Sequence, residues 1–541
     1  MKNTKILLLI IVAVGTFFRF YQLPSNPVSL SMNEVAIAYN SYSILETGRD
    51  EWGISFPLSF RSVGDYKAPI LIYVMAPVIK IFGLTEFSTR FTVALFGVLT
   101  IPVVYFLVLV LSKKKEISLF AAFSLAMSPW HVQFSRATFE AILALFFLLA
   151  GVLFFVISLQ KKGKYYWLSI IFLIISVYSY HAERVFVPIL LLGLIIIFYN
   201  ELFKHKKACI ISAIIGVILI VPFITIMLSV QGQTRAKMTF ITNDENISYQ
   251  LHQKDEKLTL IQKIFDNNWL IVGNFWIKRY LNYFDPGFLF FKGNQFTLPN
   301  VADVGLMYVY ELPLFSIGFW LVFIRRNVLD KKYLKLIVLW FLIGPFVASL
   351  TNNEQHALRS LVWIPIPQLL VGVGCYFVYE KIKSLSLNKK VILRFGFLLI
   401  VIINSIYFFD IYFIHFPIFF SESWDYGWKE VSLYAWQHQK EYNEIVIDPT
   451  FGSIGPYTVS VPYLHILFYG KYPPKLFQLN KGRVENFNFR PIYWPKDRLK
   501  KNTLFIGSPW SLPNDELKQS IIHKVIKFKN GVDAFYIVET R

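Results

Sequence analysis

Glu34 is the first side chain in this sequence placed to do acid–base chemistry. It stands in Ser31-Met32-Asn33-Glu34-Val35, directly after the first apolar segment. A carboxylate there could take a proton from a hydroxyl group at a membrane surface. The same spacing has a structural reading, because Ser31-x-x-Glu34 ahead of an apolar run is a capping box that satisfies backbone N–H groups. The two readings are compatible. A second carboxylate, Glu140, follows Arg136 by four residues, which on one helix would put the two on one face. That spacing suits a self-neutralising pair as well as a reactive acid. Lys67, in Gly64-Asp65-Tyr66-Lys67-Ala68-Pro69, suits a phosphate as a point charge, or a lysine that snorkels at the interface. His181, Glu183 and Arg184 form one further polar cluster, and His356 and Arg359 another. Arginines gathered on one side of a membrane suit a phosphate group.

These residues need elements to hold them, and the composition says which. The chain has 541 residues, of which 55% are hydrophobic and 16% charged. A soluble domain cannot hide that much apolar surface, so most of the chain must lie in lipid. Spans are expected near 6–20, 90–111, 117–133, 140–159, 166–180, 185–200, 208–229, 304–324, 333–350, 361–379 and 391–409, about eleven in all. The short basic linkers, such as Lys113-Lys114-Lys115 and Lys204 with Lys206 and Lys207, then fall on the side of Lys2 and Lys5. The net charge of +20 is therefore mostly a topology signal, and nucleic acid is not an expected partner. The first segment reads as a retained anchor rather than a cleaved signal. Cys209 and Cys375 both lie in apolar segments, so no disulfide framework is expected.

The orientation leaves loops 21–89 and 230–303 outside. The turns at 181–184 and 351–360 and a tail from about 410 also fall there. In the first loop, Val35, Ala38, Tyr39, Tyr42 and Leu45 recur at helical spacing before Gly48, which predicts an amphipathic helix on the outer surface. Residues 68–84, interrupted by Pro69 and Pro77, predict a second interfacial helix. The tail trades aliphatic runs for Trp, Tyr, Pro and polar residues. It predicts buried strands at 442–448 and 502–507, a helix at 424–440, and a hairpin over 524–539 turning at Asn530-Gly531. The expected fold class is therefore mainly α: a polytopic membrane domain over 1–410, with outer interfacial helices, and a small soluble α/β domain over 411–541.

The layout resembles membrane glycosyltransferases of the protein O-mannosyltransferase and lipid A aminoarabinose transferase type, which have the GT-C fold. Several runs look like the bacterial branch of that group. They are 39–53, Gly64-Asp65-Tyr66-Lys67-Ala68-Pro69, Phe82-Gly83 with Arg90, Ser128-Pro129-Trp130-His131 through Arg136 to Glu140, Asp285-Pro286-Gly287, and His356-Ala357-Leu358-Arg359-Ser360. The resemblance covers roughly residues 1–410. It implies a catalytic Asp-Glu pair after the first span, where this chain reads Asn33-Glu34, and an amide cannot serve as base. Three readings follow. Glu34 takes over as base, Glu140 shares the work, or the protein is catalytically impaired. By resemblance Lys67, Arg136 and Arg359 hold the carrier phosphate, with His356 and Tyr66 nearby and with Asp65, His181 and Arg184 lining the same cavity.

The implied reaction moves a hexose or pentose from a polyprenyl-phosphate donor to a lipid, glycan or protein acceptor, with inversion at the anomeric carbon. It needs no nucleotide-binding loop, and none is seen. This reading names no definite cofactor. A divalent metal is compatible with the His and carboxylate residues, but their spacing matches no tight ligand set. A multi-pass lipid or glycan transporter or flippase is the competing class; it predicts paired repeats and broken mid-membrane helices, which the sequence does not show. A third reading is an assembly protein whose tail binds a cell-surface partner. The expected location is the plasma membrane, with the N-terminus inside and the tail outside.

Overall fold

The computed structural model describes residues 2–229, 240–252, 268–293, 304–326, 328–352, 354–452, 458–517 and 520–540. Much of the expected outer loop 230–303, namely 230–239, 253–267 and 294–303, lies outside the described residues. The chain folds as two compact units. The larger comprises Met1–Tyr21, Val93–Ser135 and Phe139–Phe408. The smaller comprises Gln22–Thr92, Arg136–Thr138 and Phe409–Arg541, so most of the loop 21–89 folds with the tail.

The larger unit is helical. Its early helices are α1 (Lys2–Phe20), α4 (Glu86–Ser112), α5 (Lys115–Met127), α6 (Pro129–Ser135), α7 (Glu140–Gln160), α8 (Tyr166–Ser179), α9 (Glu183–Ile197), α10 (Tyr199–Lys204) and α11 (Lys206–Leu228). The α2 and α3 helices belong to the smaller unit and are placed below. Among the described residues, six helices are long and apolar enough to cross a membrane: Asn3–Phe20, Glu86–Ser112, Glu140–Gln160, Lys206–Leu228, Lys331–Ser349 and Leu387–Phe419. The other five expected spans are helical but short, broken or charged. Pro129 divides 117–133 into α5 and α6, and 185–200 divides into α9 and α10. The α8 helix has 14 residues, which at about 1.5 Å per residue is well short of a bilayer core about 30 Å thick. The 304–324 segment is the helix Glu311–Phe319 followed by a wider π turn, Trp320–Arg325. The helix Ile366–Lys383 ends in Glu380, Lys381 and Lys383.

Small residues and hydroxyls bring these helices together, as expected where lipid supplies no hydrophobic drive between them. Ser169 Oγ donates to the Gly151 carbonyl at 2.7 Å and Ser176 Oγ to that of Ala144 at 2.8 Å, which joins α7 to α8. Phe154 and Phe172 stack across the same seam at 5.5 Å. Gly374 lies so close to the Leu314 carbonyl that a Cβ there would collide with it; Gly318 stands in the same relation to Leu370.

In the smaller unit, α2 (Met32–Thr47) begins at the Ser31 cap and ends at Gly48, whose φ of 67° is the left-handed stop expected for it. The helix is buried on nearly every face from Glu34 to Ser41, not half-exposed as its amphipathic reading predicts. The tail helices Pro462–Tyr469 and Pro474–Leu479 pack on it and cover its polar flank. Tyr39 Oη donates to the Tyr472 carbonyl at 2.9 Å across this contact. The short strands β1 (Phe60–Ser62) and β2 (Asp65–Lys67) follow, then α3 (Pro69–Phe82).

The tail carries β3 (Glu444–Ile447), β4 (Thr450–Phe451), β5 (Thr458–Val459), β6 (Phe487–Phe489), β7 (Thr503–Gly507), β8 (Ile521–Lys527) and β9 (Asp533–Glu539). The main sheet has the order β6-β3-β7-β9-β8. The β3 strand runs parallel to β6 and β7, and β7–β9 and β9–β8 are antiparallel. Both expected buried strands and the expected hairpin are present. The amphipathic helix is shorter than expected, Trp428–Gln437, and starts at Gly427. The tail core closes on Val446, Trp494, Phe505, Tyr536 and Val538.

Candidate active site

Arg90 organises the entry to α2. Its Nε donates to Glu34 Oε1 at 3.0 Å and its Nη2 to Glu34 Oε2 at 3.3 Å. Its remaining N–H groups reach the carbonyls of Leu23, Pro27 and Ser29 at 3.2, 2.7 and 2.5 Å. The segment between the first span and α2 has no regular structure of its own, so its carbonyls need donors. One fully buried guanidinium supplies them. Glu34 is equally engaged. Its Oε1 also accepts from the Thr138 N–H at 3.1 Å and the Thr138 hydroxyl at 3.2 Å, and its Oε2 accepts from the Ser31 N–H at 3.0 Å. The capping box is therefore formed.

One residue earlier, Asn33 Oδ1 accepts from Lys67 Nζ at 2.5 Å. Lys67 reaches it from the end of β2. The β1–β2 hairpin turns through Val63 and Gly64 with φ of 56° and 68°, the two left-handed residues of a type I′ turn. Within it Tyr66 pairs with Arg61, and Asp65 Oδ1 accepts from the Tyr66 N–H at 2.7 Å. Lys67 is 9% exposed, and a tight turn and a short ribbon aim its ammonium at the first turn of α2.

Arg136 does not share a helix face with Glu140. The α6 helix ends at Ser135 and α7 begins at Glu140, so 136–139 is a turn and the four-residue spacing has no helical meaning. Arg136 is buried, donates from Nη2 to the Asn26 carbonyl at 2.9 Å, and lies over the Phe413 ring at 4.7 Å and the Tyr412 ring at 5.5 Å.

The remaining expected residues belong to the larger unit. Glu140 opens α7, where the helix dipole favours a carboxylate. Tyr180 lies in the electrostatic reach of Glu140, Glu183 and Arg359 and accepts a hydrogen bond from the Arg359 guanidinium. His181 contacts the Tyr180 ring edge-on at 6.2 Å. Arg184 is packed over Phe223 at 5.0 Å. The His356 N–H donates to Tyr283 Oη at 3.0 Å. Desolvation and the adjacent Arg359 hold the His356 ring down to about 3, so it is neutral. Glu140, Tyr180, Arg359 and His356 thus form one polar group.

Three residues in the smaller unit escaped the reading of the sequence. Arg90 was visible only as part of a motif; its many carbonyl partners are set by the folded path of 22–34. Asp425 Oδ2 accepts from the Met32 N–H at 2.6 Å, from 393 residues away, a pairing that no local signal announces. Burial and the charge of Glu34 push its carboxyl up to about 7, against the opposing bond from Met32. Glu51 is fully buried, and desolvation drives it up to about 8. Among the described residues, no group of three or more His, Cys, Asp or Glu converges as metal ligands.

Residues 66–226 match the dolichyl-phosphate-mannose-protein mannosyltransferase family. None of the curated proteins matches the sequence significantly. Two solved structures share the fold over nearly the whole chain. One is ArnT from Cupriavidus metallidurans in the apo state, at TM-score 0.56 and 12% identity, covering 98% of this chain and 97% of that one. The other is the same protein bound to undecaprenyl phosphate, at TM-score 0.55 and 12% identity with the same coverage. The family match takes in Lys67, Arg90, Arg136 and Glu140, and the fold likeness takes in both units. On these two findings together, the chain has the GT-C fold, and its residues 66–226 are similar to a family of membrane mannosyltransferases.

Proposed function

We propose that this protein moves a sugar from a polyprenyl-phosphate donor to an acceptor on the outer face of the plasma membrane, inverting the anomeric centre. The observation that carries this reading is the Lys67–Asn33 contact at 2.5 Å. An amide oxygen holds the ammonium in place, and a positive charge fixed there would stabilise a phosphate that gains charge as it leaves; such pre-set stabilisation is usually the largest catalytic term. ArnT binds undecaprenyl phosphate, a lipid of the class proposed here. Lys67 would take the departing phosphate. Arg136, with its cation spread over two rings, would brace the backbone beside it. Glu34 has both oxygens occupied by Arg90, Thr138 and Ser31, which argues for a brace rather than a proton acceptor. Within the smaller unit Tyr66 and Asp65 would shape the surroundings of Lys67; the roles of Glu140, Arg359, His356, His181 and Arg184 in the larger unit are proposed as sugar or acceptor contacts.

The test is transfer by the purified protein from a panel of undecaprenyl-phosphate sugars, radiolabelled in the hexose or pentose, into membranes of cells lacking the protein. Label should enter an acceptor with wild type and fall sharply with Lys67→Met. No transfer from any donor, or full transfer by the variant, would overturn the reading.

A further inference from the structure

A hydroxyl that attacks an anomeric carbon must give up its proton, and the first turn of α2 offers few groups to take it. Asn33 is an amide whose oxygen is occupied by Lys67. Both oxygens of Glu34 are occupied. Glu51 is completely closed to solvent. Asp425 differs from all three. One of its oxygens, Oδ2, accepts from the Met32 N–H at 2.6 Å. The other, Oδ1, has no hydrogen-bond partner among the described residues, and the residue keeps 7% exposure.

The backbone aims this carboxylate rigidly. Asp425 has a left-handed φ of 51°, uncommon for a residue with a side chain, and Gly427 just after it has φ of 103°. Backbone held in such conformations clusters at functional sites, where neighbouring contacts enforce it. Ser29 Oγ donates to the Asp425 carbonyl at 3.3 Å, Trp424 and Trp428 are buried on either side, and the Met32 N–H holds the carboxylate itself. Met32 and Asn33 are consecutive, so Asp425 and Lys67 grip adjacent residues of one helical turn.

We propose that Asp425 is the general base of this protein, a carboxylate supplied from the tail to a helix start that carries none free. The proposal rests on the transferase reading above. The acceptor oxygen bonds to the anomeric carbon as the bond from that carbon to the carrier phosphate oxygen breaks. The electron pair stays on the phosphate, beside the Lys67 ammonium, and the acceptor proton passes to Asp425 Oδ1. Glu34 is the charged neighbour that faces Asp425, and its negative charge makes Asp425 a stronger base.

The test compares wild type, Asp425→Asn, Asn33→Asp and the double variant in the transfer assay, with thermal unfolding measured for each. General-base catalysis contributes about 10²–10⁴-fold, so Asp425→Asn should lose about that factor in kcat while its donor KM stays within about threefold. Asn33→Asp places a carboxylate on the same helical turn and should restore at least tenfold of the lost kcat in the double variant. A carboxylate that merely caps α2 would not be replaced in this way. Wild-type kcat should also climb with pH through about 7. This profile needs no variant, so it decides the matter even if Asp425→Asn does not fold. A flat wild-type profile between pH 5.5 and 8.5, a folded Asp425→Asn retaining most of its kcat, or a double variant no faster than Asp425→Asn would each overturn the proposal. Absence of transfer by wild type would instead overturn the transferase reading.

Discussion

Arg90 and Glu34 form a closed ion pair, Nε to Oε1 at 3.0 Å, with side chains 0% and 3% exposed. Arg90 lies in the first turns of a long apolar helix and Glu34 at the start of a buried one, so the pair joins the starts of two helices. Removing one member of a buried pair strands the other charge at a cost of about 3–5 kcal/mol. Arg90→Leu should therefore lower the unfolding temperature in detergent by many degrees and expose 22–34 to protease. An unchanged melting temperature would show that the carbonyls of that segment find other donors.

The helix crossing at Gly374 has no room for a side chain, because a Cβ there meets the Leu314 carbonyl. Gly374→Leu should separate the two helices and cost about 1–3 kcal/mol or more through overpacking. The loss is read as a lower unfolding temperature or a lower yield of monodisperse protein. Gly396, with nothing within 4 Å, is the control, and its substitution by Leu should be silent.

Glu51 gives a pH dependence of definite sign. Its folded carboxyl is pushed up to about 8 by burial, above its ordinary value, so the folded state binds the proton more tightly than the unfolded chain does. Its ionisation therefore withdraws stability as pH rises from about 4.5 to about 8, while below that window the group costs nothing. Glu51→Gln should unfold at a higher temperature than wild type at pH 8.5, and the difference should shrink towards zero near pH 4.5. A difference independent of pH would contradict this account of Glu51.

Local patterns were legible in the sequence. The Ser31–Glu34 box, the Gly48 stop, the strands of the tail and its hairpin all rest on short-range chemistry. The motif around Lys67 is legible in the sequence, although the Val63–Gly64 turn that aims the side chain is not. The Arg136–Glu140 face failed because Phe139 and its neighbours form a turn, and apolar spacing alone does not reveal such a break. Hydropathy likewise runs continuously through the breaks at Pro129 and Phe198, so the ends of the helices there were not legible. Asp425 and the burial of α2 were out of reach, because both depend on contacts made hundreds of residues along the chain.

Lys67, held by Asn33, is proposed to take the carrier phosphate. The direct measurement is the Kd of undecaprenyl phosphate for the purified protein, wild type against Lys67→Met. A hydrogen bond to a charged group contributes about 1.5–3 kcal/mol, so the account predicts roughly 10- to 150-fold weaker binding by a variant that melts like wild type. Equal affinity in the two proteins would contradict it.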